Sequence, residues 1–312
     1  MRGLDRRAAA TLLLFALFAL VPVYAVAFAE PFYLSLFARV MIFAMAALSL
    51  DLILGFGGLV SFGHAAYLGV GAYAVGILAF HGVDSALAQW AVAVLASALV
   101  ALFIGAVSLR TSGMYFIMIT LAFAQMLFYL AVSLKAYGGD DGLPIAKRAR
   151  LGPIDLKSDV QFYYLVLVLL ALTLAGMRAV VRSRFGRVLE GAKWNERRMV
   201  ALGIAPYRYR LAAFVLSGTV CGLAGALLAT LTSFVSPSYM SWTRSGEIIV
   251  MVVLGGLSSL VGPVIGAAAL LILEESLASL TIHWMIILGP ILIAIVLFAR
   301  RGLWGWIAGN HG

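Results

Sequence analysis

The feature that most restricts this chain is a set of long segments that stay apolar round every face. Leu165–Ala175 and Met285–Ala299 are examples, and neither alternates apolar with polar positions. Hydrophobic residues make up 64% of the 312, and charged residues only 11%. A soluble globular domain is about 45–50% apolar and about 25% charged, so most of this chain needs a lipid bilayer as its solvent. Lipid offers no partner to backbone N–H and C=O groups, which leaves bundled helices or a closed barrel. Barrel strands would read as short alternating segments, and none are present. The expected fold is therefore all-α: a single polytopic transmembrane bundle over residues 1–312.

A span takes about 20 apolar residues. On that length the sequence predicts about ten, over 12–28, 36–54, 60–80, 86–108, 113–133, 161–181, 210–232, 246–261, 262–278 and 283–299. The first has features of a signal peptide: Arg2, Arg6 and Arg7 precede it, and Ala25-Val26-Ala27 matches a small-residue cleavage pattern. Its apolar run is long enough to span, so it is read as retained. With the N-terminus inside, fifteen of the 22 Lys and Arg fall on the cytoplasmic side and seven outside. Cytoplasmic loops carry the basic excess, which places both ends of the chain in the cytoplasm. The net charge of +9 follows from that excess, and nucleic acid is not an expected partner. The single cysteine, Cys221, has no partner within the chain, so disulfides play no part.

Two connections are long. The outer one, 134–159, is turn-rich around Gly138-Gly139-Asp140-Asp141-Gly142-Leu143-Pro144. The inner one, 182–209, carries Arg184, Arg187, Glu190, Lys193, Glu196, Arg197 and Arg198. Leu189, Ala192, Met199 and Leu202 give it an incomplete apolar stripe at helical spacing, and Gly191 is its only expected breaker. It reads as one short amphipathic helix at the membrane's inner face.

No catalytic constellation is visible. The four histidines are scattered, no metal-ligand spacing appears, and there is no phosphate-cradling loop ending in Lys-Ser/Thr. A membrane enzyme would need clustered catalytic polar groups at one bilayer face. If ATP drives this protein, another chain binds it. Glycine clusters between Gly55 and Tyr73, and Gly255–Pro263 echoes that stretch. Small residues permit close helix packing, or mark broken helices along a solute path. Intramembrane polar groups are costly and default to functional candidates. The path candidates are Asp51, Gly57, Gly58, Ser61, His64, Tyr115, Thr120 and Gln125. Asp51 could contact solute, sit at the interface, or pair with His64 or a helix N-terminus. Thr120 and Gln125 could line a path or join helices. Glu247 is expected to pair with Arg244, Glu274 and Glu275 to mark a helix end, and Trp242, Trp284, Trp304 and Trp306 to sit in interfacial belts.

Asp51 to Tyr73, Gly113-Met114-Tyr115-Phe116, Thr120-Leu121-Ala122 and Gly138 to Leu143 together resemble the branched-chain amino acid ABC transporter permeases of the LivM type. Gly186-Arg187, Asn195-Glu196 through Ala201-Leu202-Gly203-Ile204, and Arg301-Gly302-Leu303-Trp304-Gly305 extend the likeness in the same order along nearly the whole chain. One departure is Asp51, where such relatives often carry Asn. The resemblance implies a bacterial inner-membrane importer subunit working by alternating access. Its implied partners are a second permease of the LivH type, two ATP-binding subunits that hold ATP and magnesium, and a periplasmic solute-binding protein. It implies no cofactor in this chain. It also implies a coupling helix formed by Glu190, Ala192, Asn195, Glu196, Ala201 and Gly203. Branched-chain amino acids head the implied substrates, with other amino acids, urea, amides and small carboxylates beside them. A different class is an ion-coupled secondary transporter or channel, for which Asp51 is the one suitable relay carboxylate.

Overall fold

A computed structural model describes residues 2–28, 30–146, 148–149, 158–298 and 302–307. Expectations placed on Lys147, Arg150, Asp155, Lys157, Arg300 and Arg301 lie outside the described residues, as do those on the side chains of Arg2, Arg6 and Arg7. The described chain is all-α apart from one two-stranded ribbon. In order it forms α1 (Arg2–Ala27), α2 (Pro31–Asp51), α3 (His64–Phe80), α4 (Ala86–Ser108), α5 (Met114–Ser133), α6 (Asp159–Arg182), α7 (Arg184–Trp194) and α8 (Glu196–Ala201). Then come α9 (Pro206–Thr232), α10 (Trp242–Gly255), α11 (Gly262–Leu280), α12 (Trp284–Phe298) and α13 (Gly302–Ile307). Among the described residues, seven helical segments are long and apolar enough to cross a membrane: α1 from Ala8, α2 with its extension to Phe56, α4, α5, α6, α9 and α11. α3 and α12 are shorter apolar helices.

α2 is the axis of the bundle. Every residue from Val40 to Asp51 is buried, and α1, α6, α9, α10 and α11 pack round it. The surrounding helices keep one flank apolar and uncovered: Leu12, Leu13 and Leu17 on α1, Leu95, Leu99 and Phe103 on α4, Val168 and Leu172 on α6. Such faces suit lipid, because acyl chains are as apolar as leucine and small residues are what bring helices together. α3 and α9 show that contact directly. A Cβ on Gly71 would collide with the backbone of Gly222, and one on Gly225 with the Leu68 carbonyl.

Each of the ten predicted spans coincides with a helix, with two boundary corrections. The segment 60–80 is helical only from His64, because α2 runs on as a π turn over Leu52–Phe56 and residues 57–63 form a connection. The segment 246–261 is helical over Trp242–Gly255 and ends in a turn at 256–261. Fourteen residues reach about 21 Å, short of an apolar layer of about 30 Å. Non-helical backbone at membrane depth is tolerated where protein rather than lipid surrounds it. At one end of α10 lie the 3-10 turn Pro237–Met240 and β2 (Phe234–Val235), which pairs antiparallel with β1 (Leu143–Pro144).

The glycine echo becomes intelligible here. Each segment contains a turn that joins one helix to the next, residues 57–63 between α2 and α3 and residues 256–261 between α10 and α11. Gly58 and Gly256 each take a positive φ, at 68° and 114°. The Ser61 hydroxyl accepts from Gly63 N at 3.3 Å, and the Ser259 hydroxyl accepts from Gly262 N at 3.0 Å. The two turns also meet, since Asp51 Oδ1 accepts from Ser258 N at 2.8 Å. Arg244 and Glu247 form the expected ion pair. Glu274 faces Arg39 at 3.8 Å and lies within α11, which runs on to Leu280. Trp304 is buried rather than interfacial, because α13 folds back onto α10 and α11 with Gly302 against the backbone of Gly256.

Candidate functional site

The charged connection forms two helices, not one. Ser183 caps α7 by accepting from Phe185 N at 3.1 Å. The helix stops at Asn195, whose φ of −155° leaves the helical region and whose Oδ1 accepts from Arg198 N at 2.9 Å, so it caps α8. Gly191 lies inside α7 and breaks nothing. An asparagine side chain can satisfy free amides at a helix start, and that local competition outweighs the uninterrupted helical composition. The apolar stripe loses its phase at the break. Leu189 and Ala192 face the bundle and are buried, whereas Leu202 is 67% exposed. Gly203, at φ 78°, terminates α8.

The segment is fastened to the bundle by side chains. Arg210 of α9 donates to Glu196 at 2.7 Å and to the Ala192 carbonyl at 3.0 Å. Lys193 Nζ donates to the Gly55 carbonyl at 2.6 Å. Glu190 and Ala201 are exposed. Trp194, Val200 and Leu202 are exposed large apolar residues beside Arg197 and Arg198. The sequence reading did not single out Trp194 and Val200. Their signal was two apolar side chains in a run too polar to be a span.

The path candidates fall in three places. Asp51, Gly57 and Gly58 sit at the end of the bundle that carries α7 and α8, called here the basic end. Asp51 is fully buried, Oδ1 holds Ser258 N, and Oδ2 has no hydrogen-bond partner of normal geometry among the described residues. Gly57 packs on the Ile53 carbonyl and Gly58 on the Lys193 stem. Ser61 is buried in the same connection and faces Gly63 N.

His64 belongs to a second group, inside the bundle between α2, α3 and α9. Ser49 Oγ donates to the Ala46 carbonyl at 2.7 Å, so the 2.8 Å contact with His64 Nε2 has the imidazole as donor. Ser217 donates to the Ser49 carbonyl, and the Cys221 thiol faces the His64 carbonyl at 3.5 Å. Among the described residues, His64 Nδ1 and the Tyr67 hydroxyl are buried without partners. Asp51 and His64 therefore do not pair.

The third place is α5. Thr120 is buried, its hydroxyl on the Ile117 carbonyl and its own carbonyl against Gly63. Tyr115 is 76% exposed and Gln125 half-buried, on a side of α5 that also shows Met118, Met126 and Tyr129. Among the described residues, no group of three or more His, Cys, Asp or Glu could hold a metal ion.

Residues 32–297, from the start of α2 to the end of α12, match the sequence family described as branched-chain amino acid transport system, permease component. The chain belongs to this family. This permease is similar to the high-affinity branched-chain amino acid transport system permease proteins LivM of Escherichia coli (strain K12) and Salmonella typhimurium (strain LT2). It is 29% and 28% identical to them over 291 residues, each match covering 84% of this chain and 68% of the relative. No solved structure matches it. A permease component is a transport subunit rather than an enzyme, and it works with the other subunits of its system. The permease is thus a multi-pass membrane protein whose ion-paired α7–α8 segment projects from one end of the bundle.

Proposed function

We propose that this chain is one of two permeases in an ATP-driven importer of branched-chain or related amino acids, in a bacterial inner membrane. The family assignment supports the transport role, and the names of the two relatives support the substrate class. The observation that carries the motor is the projecting segment 184–203. It pairs an exposed apolar patch at Trp194, Val200 and Leu202 with flanking charge, the composition of a protein contact.

In this reading the chain crosses the membrane ten times with both ends in the cytoplasm, as the basic excess demands. Residues 182–209 then form the cytoplasmic coupling loop, and 134–159 a periplasmic loop that receives a solute-binding protein. Two ATP-binding subunits carry ATP and magnesium, and a second, similar permease completes the membrane part. Glu190, Ala192, Asn195, Glu196, Ala201 and Gly203 shape the segment that docks on an ATPase. Tyr115 and Gln125 on the uncovered side of α5 line the path against the second permease. Thr120, Ser61 and His64 hold α3 and α5 behind it, and Asp51, Gly57 and Gly58 hold its cytoplasmic end. Transport requires two bundle arrangements that nucleotide and docked binding protein favour unequally.

The test is reconstitution of the co-purified subunits with loaded binding protein. Leucine uptake that needs ATP and survives a protonophore is expected. Uptake by this chain alone, abolished by the protonophore, would instead establish the ion-coupled class, with Asp51 as the carboxylate to mutate first.

A further inference from the structure

Gly55 stands between the Lys193 ammonium and the Asp51 carboxylate. It lies in the π turn that ends α2, where helix carbonyls run short of amide partners. Its carbonyl receives the Lys193 ammonium at 2.6 Å. Its α-carbon sits against Asp51 Oδ1 and Ser258 N, leaving no room for a Cβ. Asp51 in turn holds Ser258 N at 2.8 Å, across 207 residues of sequence. One residue of the coupling segment is thus joined through one glycine to the axial helix and to the α10–α11 turn.

Three further observations mark this junction as able to switch. Asp51 Oδ2 is buried with no hydrogen-bond partner of normal geometry among the described residues, and the Leu260 and Ser259 amides as well as Lys193 lie near enough to act on that carboxylate. Ser258 and Leu260, neither of them glycine, hold positive φ angles of 60° and 56°, a conformation that persists only where surroundings enforce it. A cavity of about 130 Å³ adjoins Lys193, lined by Gly57, Gly58, Thr111 and Ser112 together with the Glu196–Arg210 pair, so the ammonium has hydroxyls and the Glu196 carboxylate to turn to when it leaves Gly55, against the repulsion of Arg210.

We propose that Lys193 and Asp51 are positioning residues for transport: a latch at Gly55 that passes movement of the α7–α8 segment to α2 and to the α10–α11 turn. With the latch closed, pulling on α7 moves the Gly55 carbonyl, and Asp51 carries the pull to Ser258. With Lys193 withdrawn into the cavity, the two turns part company. This rests on the importer reading, whose motor acts on α7–α8.

The experiment uses the complete importer in proteoliposomes, with Lys193→Met, Lys193→Arg, Asp51→Asn and the double variant Lys193→Met/Asp51→Asn. Leucine uptake and ATP hydrolysis are both measured. One charge-assisted hydrogen bond is worth roughly 10-fold in an equilibrium. Lys193→Met is expected to lower uptake per ATP about 10-fold while hydrolysis stays within about twofold, and Lys193→Arg to restore most of it. The double variant is expected to be no worse than the poorer single, since residues acting through one contact are not additive. Wild-type uptake per ATP in Lys193→Met, or losses that multiply in the double variant, overturns the latch.

If the wild type itself shows no ATP-dependent uptake, the importer reading fails. The junction is then judged on the same preparations by hydrogen exchange. Faster exchange of the 256–261 amides in Lys193→Met supports the latch, and unchanged exchange there overturns it. Asp51→Asn gives the same readout should Lys193→Met not assemble.

Discussion

The two ends of the bundle are held by different mixtures of bond. At the end opposite α7 and α8, a backbone ribbon holds alongside the Arg148–Asp159 ion pair and the bond from Arg148 to the Leu231 carbonyl. Leu143 and Pro144 pair with Val235 and Phe234, and Ile145 N donates to the Ser233 carbonyl at 2.9 Å. Gly142 takes φ 84° and ψ 174° so that the ribbon can pass Phe234. At the basic end, side chains do it: Lys193 to Gly55, Arg210 to Glu196 and Ala192, Tyr207 to Ala106, Asp51 to Ser258. A backbone ladder has one register, fixed by its pairing. A side chain can change rotamer and leave the helix intact. A helix bundle driven by a separate motor needs one end that can rearrange, and bistable contacts supply that.

Breaking the ribbon is expected to have the largest effect. Gly142→Val puts a branched residue where ψ and φ admit only glycine, at a cost of about 1–3 kcal/mol before its clash with the Val235 carbonyl. Thermal unfolding of the purified protein should show a clearly lowered midpoint, while uptake per ATP in the folded fraction stays unchanged. Equal coupling loss would blur the distinction between the ends.

Trp194→Ala removes the largest exposed apolar group of the projecting segment. Interface anchors of this type carry enough binding energy that the ATP-binding subunits should co-purify roughly 10-fold less well. The unfolding midpoint should move little, because the ring is 78% exposed and its contact in the isolated chain is the Lys193 ammonium at 5.7 Å.

Glu196→Arg replaces an attraction to Arg210 with a repulsion. The Glu196 side chain is 52% exposed, so stability should change by no more than about 1 kcal/mol. Coupling of hydrolysis to uptake should fall all the same, since Arg210 would lose its hold on α8. The smallest effect is expected between the two ends, on α5. Gln125→Leu removes one hydrogen-bonding group and should raise the KM for uptake about 2- to 10-fold, with ATP hydrolysis unaltered.

The sequence made the helices legible because lipid demands a pattern that survives without an alignment. Each of the ten apolar runs overlaps a helix, and both glycine clusters contain a turn with a glycine at positive φ. What it hid were the contacts that depend on who packs against whom. Asp51 and Ser258 are far apart in sequence, and nothing in either residue names the other. Lys193 was visible as one charge in a basic loop, but its bond to Gly55 arises only because the π turn leaves that carbonyl free. Asn195 stands in the sequence as part of a motif and not as a cap, so one helix is expected where the structure has two. The second group, Ser49, His64 and Ser217, was half seen: His64 stood out as an ionisable residue in an apolar run, while serines attract no notice until they share a core.

One measurement tests most directly whether a cytoplasmic motor can reach the side-chain-held end. Cys221 is buried and is the chain's one cysteine, so Leu202→Cys introduces a single exposed thiol. A membrane-impermeant maleimide should label it in inverted membrane vesicles and leave it untouched in intact spheroplasts. Labelling in intact spheroplasts would put α7 and α8 on the far side of the membrane, where no ATP-binding subunit could move them.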